Sequence, residues 1–178
     1  MLKTARAGGE GGRDYIFADA FGRRLDIPRG TRRVVSATAT APETPAVQAR
    51  LTIFDLDTLK PVGKIACIGG NGAVVNPKSG HGFTSDHPKV SMFETKTMTL
   101  IKIIDVGAVT RPDGIYFDAF NQRVYVFSHR TKDATVIDAK DGAVLGMIDL
   151  GGVLERGVAD GKGMLYKLSA LEESPLHR

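Results

Sequence analysis

The sequence predicts an all-β fold assembled from four-stranded antiparallel units, and three observations carry that expectation. First, one phrase returns three times, as Leu51-Thr52-Ile53-Phe54-Asp55, Val90-Ser91-Met92-Phe93-Glu94 and Ala134-Thr135-Val136-Ile137-Asp138. Each copy runs into a short polar turn and then a second apolar run. Second, with Phe54, Phe93 and Ile137 as markers, the copies lie 39 and 44 residues apart. Third, turn chemistry recurs roughly every 8–12 residues, and no 3.6-residue periodicity interrupts the repeats. A unit of about 40 residues holding four short strands is the pattern of a β-propeller blade.

The elements follow in order. Strands a and b of each unit come from a second recurring phrase, clearest in Asp19-Ala20-Phe21-Gly22-Arg23-Arg24-Leu25 and Asp118-Ala119-Phe120-Asn121-Gln122-Arg123-Val124. Looser versions occur at Asn76 to Thr84 and Asp160 to Tyr166. Strand c is expected over Leu51 to Asp55, Val90 to Phe93 and Ala134 to Asp138. Strand d is expected over Val62 to Ile65, Leu100 to Ile104 and Val144 to Ile148. Ile53, Met92 and Val136 are equivalent by register and are expected to share one burial state. Ile65, Ile104 and Ile148 are expected to be buried between neighbouring blades. The organisation is thus a flexible N-terminus at 1–12 and a partial propeller at 13–167. Its blades lie at about 13–70, 71–107 and 108–152, with an incomplete one at 153–167. A tail follows at 168–178, where Leu168 to Ser174 reads as frayed helix or tail. The stretch from Pro28 to Arg50 is a long b-to-c loop, either disordered or a binding lid.

Composition narrows the function. The chain has 178 residues, 42% of them apolar and 25% charged, which is neither a disordered nor a membrane-spanning composition. No stretch approaches the ~18 apolar residues of a spanning helix, and no apolar run near the N-terminus resembles a signal peptide, so the chain as written is expected in the cytoplasm. The lone Cys67, in the apolar run Ile65 to Ile68, excludes a disulfide framework or a CxxC site and is expected to be a buried structural thiol. Nucleophile-elbow, P-loop, dinucleotide-fingerprint, EF-hand and HExxH motifs are all absent. No cofactor is implied.

Arg111-Pro112-Asp113-Gly114-Ile115-Tyr116-Phe117-Asp118, Arg123-Val124-Tyr125-Val126 and Ala134-Thr135-Val136-Ile137-Asp138 together resemble the YVTN-repeat (YncE-like) bacterial β-propellers, over roughly residues 8 to 167. That resemblance implies a propeller of about seven blades in the full-length members, and a periplasmic or secreted location where a leader is present. It implies a binding role, reported for some members toward DNA, while related propellers include lactonases and a lyase. Departures from the pattern are Arg13 in place of an aromatic, Asp26 in place of a Tyr, and the residues after Tyr166.

By the same resemblance, ligands bind at the face onto which the d-to-a and b-to-c loops project. The candidate ligand-binding residues there are Asn71, Asp86, His87, Arg111, Asp113, His129, Arg130 and Arg156. Arg29, Arg32, Arg33, Lys89 and Lys132 add to a positive excess that suits an anionic partner. His129 and Glu155 are the weak candidates for acid–base catalysis, and Asp113 and Glu155 share their loops. His87 and His129 occupy comparable turns of successive blades, but a zinc site needs three or four ligands, so no metal site is assigned. Two classes of function stand: a binding or scaffold propeller, and a lactonase-like hydrolase or lyase. DNA binding is a weaker third, since a formal charge of +4 does not by itself mark a nucleic-acid binder. Met164 to Tyr166 would form an open strand edge, so either self-association or a place within a longer propeller is expected, with a capping tail as the alternative.

Overall fold

The computed structural model describes residues 4, 6–7, 10–12, 14–67, 69–107, 112–152 and 154–169, with backbone only for 154–156 and 167–169. Among these residues every regular element is a β-strand. The first sheet contains β1 (Phe17–Asp19), β2 (Arg24–Arg29), β3 (Arg50–Asp55) and β4 (Pro61–Ala66). The second contains β5 (Ala73–Asn76), β6 (His81–Asp86), β7 (Lys89–Glu94) and β8 (Thr99–Asp105). The third contains β9 (Pro112–Asp118), β10 (Arg123–Ser128), β11 (Asp133–Asp138) and β12 (Val144–Asp149). A fourth holds β13 (Leu154–Ala159) and β14 (Leu165–Ser169). Spatial order follows chain order in each sheet and every pairing is antiparallel. The innermost strands β1, β5 and β9 share a cavity of about 140 Å³ lined by Phe17, Val74, Val75, Ile115 and Tyr116.

The repeats in the sequence are repeats of backbone geometry. Each a-to-b turn opens on an Asx side chain whose Oδ1 accepts backbone N–H groups two residues on. The acceptors are Asp19, Asn76, Asp118 and Asp160, at 3.1, 3.0, 2.9 and 2.7 Å. Each c-to-d turn passes through a left-handed residue at one equivalent position: Leu59, Met98 and Gly142. Asp55, Glu94 and Asp138 brace those turns by accepting backbone N–H bonds, so these carboxylates serve the turn. In all three complete sheets the c–d ladder slips by one residue at the same place, between Ile53 and Phe54, Met92 and Phe93, and Val136 and Ile137.

The core lies between sheets. Leu51, Ile53 and Ile65 of the first sheet face forward and bury Phe93 of the second. Val90, Met92 and Ile104 repeat this with Ile137, Val124 and Val126 of the third. The third sheet's forward face carries the buried Tyr125, Phe127 and Ala134, with the partly buried Leu165 and Leu150 among the side chains packed on them. Gly157 makes this last contact possible, since a Cβ there would stand 2.4 Å from the Phe127 ring.

Two expectations fail at this joint, for one reason. Ile65 and Ile104 are 1% and 5% exposed, but Ile148 is 44% exposed. Ile53 and Met92 are buried, whereas Val136 is half-buried. Register equivalence holds. Burial does not, because the outer part of each complete forward face is covered by the third strand and the c-to-d turn of the next sheet, and the fourth sheet shows two strands among the described residues. The chain also stays extended through Ser169 in β14, so Leu168 and Ser169 are strand, not helix or tail. Residues 170–178 and Arg13 lie outside the described residues.

One polar pair is built into the first joint. Asp26 occupies the register position of Phe83 and Tyr125, opposite Ile53, and is fully buried. Arg24 donates to its Oδ1 from Nε and Nη2 at 3.2 and 3.0 Å, and from Nη1 to the Thr95 carbonyl at 2.6 Å. Asp26 Oδ2 is buried with no hydrogen-bond partner. Burial pushes the Asp26 carboxyl up to about 6, against the pull of Arg24.

Two predictions follow from these joints. Ile104→Ala is expected to cost about 2–5 kcal/mol in denaturant melts. Ile148→Ala is expected to cost less than about 1 kcal/mol, because its site is open. For Asp26, the folded chain holds a proton that the unfolded chain releases near pH 4. Stability is therefore expected to fall as pH rises from about 4 to about 6, and then level off. Asp26→Asn should flatten that window, and an unchanged slope in pH-dependent melts would remove Asp26 as its source.

Candidate functional site on the loop face

Strand lengths decide which candidate side chains reach this face. β9 starts at Pro112, so Asp113 belongs to the strand and not, as the sequence suggested, to the preceding loop. β13 starts at Leu154, so Glu155 and Arg156 also lie on a strand, and their side chains are outside the described residues. Arg111 is outside them as well. The reason is that β9 begins three residues before the apolar run Ile115–Phe117 that marks it in the sequence.

The strongest local geometry is around His129. Ser128 Oγ accepts from the Thr131 hydroxyl at 2.7 Å and from the Thr131 N–H at 3.3 Å. Lys132 takes a left-handed conformation and donates its N–H to the Ser128 carbonyl at 3.1 Å. The turn thus fixed places His129 Nε2 3.1 Å from Asp113 Oδ2, both side chains partly shielded. Arg130 and Lys132 project outward, exposed.

Asn71 and Ser85 form the second feature, a clamp across three sheets. Ser85 is fully buried in β6. Its Oγ donates to the Asp113 carbonyl at 3.2 Å and accepts from Gly72 N–H at 3.3 Å. The Asn71 side-chain amide donates to the Pro112 carbonyl, the Asn71 N–H donates to the Ser85 carbonyl at 3.1 Å, and the Asn71 carbonyl accepts from Tyr15 at 2.8 Å. Asn71, a candidate ligand residue by sequence, is therefore a structural tie. One signal of this is present in the residues themselves, the Gly69-Gly70-Asn71-Gly72 run, where a Cβ on Gly69 would stand 2.4 Å from Thr84 and one on Gly72 2.9 Å from Ile115.

Asp86 caps the next turn, its Oδ1 accepting from the His87 N–H at 2.7 Å. Burial holds its carboxyl above the ordinary range. His87 is exposed; like His129 it directly follows the second strand of its blade, but its turn has two residues where that of His129 has four. No group of three His, Cys, Asp or Glu side chains is gathered for a metal among the described residues.

The cation set also changes. Arg29 is the last residue of β2 and 1% exposed. Arg32 pairs with Glu10 and donates to the Pro45 carbonyl at 3.0 Å. The exposed cations among the described candidates are Arg33, Arg130 and Lys132, with His87 beside them. Of the Pro28–Arg50 stretch expected to be a loop, Pro28 and Arg29 belong to β2 and Arg50 to β3, and between them bridges Arg32↔Val47 and Val35↔Thr44 tie an antiparallel arm.

Known structures share this architecture. The chain is similar to Kuenenia stuttgartiensis hydrazine synthase, at 18% identity and a TM-score of 0.72, with 98% of this chain and 46% of that one covered. It is similar to the RRP9 WD40 repeats, at 8% identity and a TM-score of 0.62, covering 84% and 42%. It is also similar to BamB from Moraxella catarrhalis, at 11% identity and a TM-score of 0.55, covering 88% and 41%. The chain spans less than half the length of each. No protein-family model matches the sequence. No curated protein matches it either. At these identities the likeness speaks to fold, and the fold is a partial β-propeller with three complete blades and two strands of a fourth.

Cys67 is buried, and desolvation raises its thiol to about 11. It is expected to react with a thiol reagent only as fast as the chain unfolds. Rapid labelling of the native protein in a stopped-flow assay would place it at the surface instead.

Proposed function

We propose that this chain is a binding or scaffold propeller of the YVTN-repeat type, whose loop face takes an anionic ligand or partner. The observation that carries the reading is the braced turn Ser128–Asp133. It spends its hydrogen bonds on rigidity, points Arg130 and Lys132 at solvent, and stands beside the clamp that fixes three blades together. Exposed cations on a rigid frame attract an anion without paying for loop ordering. Self-association belongs to the same proposal, because among the described residues β14 has a partner strand on one side only and Ile148 on the neighbouring face is 44% exposed.

A second reading, a lactonase-like hydrolase or lyase, has the His129–Asp113 pair in its favour. A carboxylate 3.1 Å from an imidazole nitrogen can orient it as a base.

Titration with inorganic polyphosphate tests the first reading. Arg130→Ala with Lys132→Ala is expected to weaken binding by roughly 3–10-fold and to lessen its salt dependence, if each exposed charge is worth up to about 1 kcal/mol. Unaltered binding would overturn the assignment of this face. Lactone hydrolysis that disappears in His129→Ala would replace the binding reading with the enzymatic one.

A further inference from the structure

Each complete blade ends on an outer strand that, among the described residues, pairs on one side only: β4, β8 and β12. Such a strand offers backbone groups to any other strand, and proteins guard it with proline or lysine. β4 opens on Pro61 and carries the exposed Lys64. β8 exposes Ile101 and Ile103 but sets the exposed Lys102 between them. β12 reads Val144-Leu145-Gly146-Met147-Ile148-Asp149, with neither proline nor lysine and with all six residues exposed. Leu145 and Met147 are 50% and 64% exposed.

The β11–β12 ladder decides which backbone groups point out of this edge. Leu150 donates its N–H inward to the Lys132 carbonyl at 3.0 Å, one step beyond the Asp133↔Asp149 pair. Inward and outward residues alternate in an antiparallel ladder, so Ile148 bonds inward and Met147 turns its N–H and C=O outward. By the same register the two side chains lie on opposite faces of the sheet. Beside Met147, a Cβ on Gly146 would meet nothing within 4 Å, whereas one on Gly63, its equivalent in β4, would run into Met98. A glycine with open space around it inside a strand suits the close approach of another backbone.

We propose that β12 is a self-recognition edge: the β12 strands of two copies pair antiparallel about a two-fold axis at Met147, joining their third blades into one continuous sheet. This rests on the self-association proposed above and places it at the perimeter, away from the loop face. In this register Met147 faces Met147, and the two residues exchange both backbone hydrogen bonds. Ile148 of each copy comes opposite Gly146 of the other, whose open space receives it. Asp149 comes opposite Leu145, so no like charges oppose. The occupant is a second copy because the strand is its own complement. The same operation about the middle residue of β8 would set Lys102 against Lys102. An isologous contact of this kind closes at two chains. It is narrower than the ~800 Å² a side of a standard interface, so the dimer is expected to depend on concentration.

Sedimentation velocity across a wide concentration range is the first test. The 178-residue chain is expected to shift from 19.1 kDa to twice that mass as concentration rises. Met147→Lys sets like charges across the axis at an exposed site, so it is expected to stay monomeric with an unchanged melting temperature. Met147→Glu is expected to do the same, and an equimolar mixture of the two variants is expected to recover the dimer. A dimer that survives both substitutions, or a mixture that stays monomeric, overturns the β12 pairing and leaves self-association to another surface. An unsubstituted chain that is monomeric throughout overturns both. A second measurement reads the register. Met147→Cys is expected to form its symmetric disulfide under mild oxidation about tenfold faster than Ile103→Cys, the equivalent position of β8, because pairing raises the effective concentration of the two thiols. Equal rates would overturn the proposal.

Discussion

The molecule depends on one repeated contact, the seating of a large side chain from the third strand of each sheet on the forward face of the sheet before it. Phe93 sits on Leu51, Ile53 and Ile65, and Ile137 on Val90, Met92 and Ile104. These side chains lose essentially all their exposure, and each such burial stabilises by about 1.5–3 kcal/mol before ordering costs. No single sheet could do this alone, since a four-stranded sheet with both faces wet leaves its apolar rows in water. Each blade is therefore stable only as a neighbour, which is the logic of repeat architectures. The ladder slip common to all three c–d hairpins belongs to the same contact. It adds one residue to the outer strand, Val62, Ile101 or Leu145, and bends that strand without disturbing the row that packs.

Much of this was legible in the residues. The Asx residues that open the a-to-b turns and the registers of strands c and d follow from local chemistry repeated at intervals, whereas the left-handed Leu59 and Met98 do not, since neither residue favours that conformation. What was not legible depends on neighbours distant in sequence. Ile148 has the same local context as Ile65 and Ile104, and its exposure is set by how much sheet stands opposite it. Asp113 looked like a loop carboxylate because its neighbours Arg111 and Pro112 are loop-like residues, yet its backbone already belongs to β9. Asn71 and Ser85 became ties between sheets only when three strand ends met. Arg29 and Arg32 counted as surface charge in the sequence, and the fold removed one by burial and neutralised the other with Glu10.

Asp26 shows what happens when a repeat position changes chemical class. Two blades place a ring in that slot, and the first places a carboxylate that must carry Arg24 in with it. A buried pair of this kind offsets its desolvation only partly, and here one carboxylate oxygen has no hydrogen-bond partner. The guanidinium spends its remaining reach on the Thr95 carbonyl, in the c-to-d turn of the second sheet. Both joints are thus specified by direction as well as by area, the first through Arg24 and the second through Ser85 to the Asp113 carbonyl and Asn76 to Gln122.

The Asn71–Ser85 clamp ties the sheets at their loop-face ends, through Tyr15, Gly72, Pro112 and Asp113. The opposite rim carries ties of its own, from Arg24 to the Thr95 carbonyl at 2.6 Å and from Asn76 to Gln122 at 3.0 Å. With both ends of the stack held by groups outside the b-to-c turns, those turns are free to differ in length, two residues after β6 and four after β10, without loosening the joints.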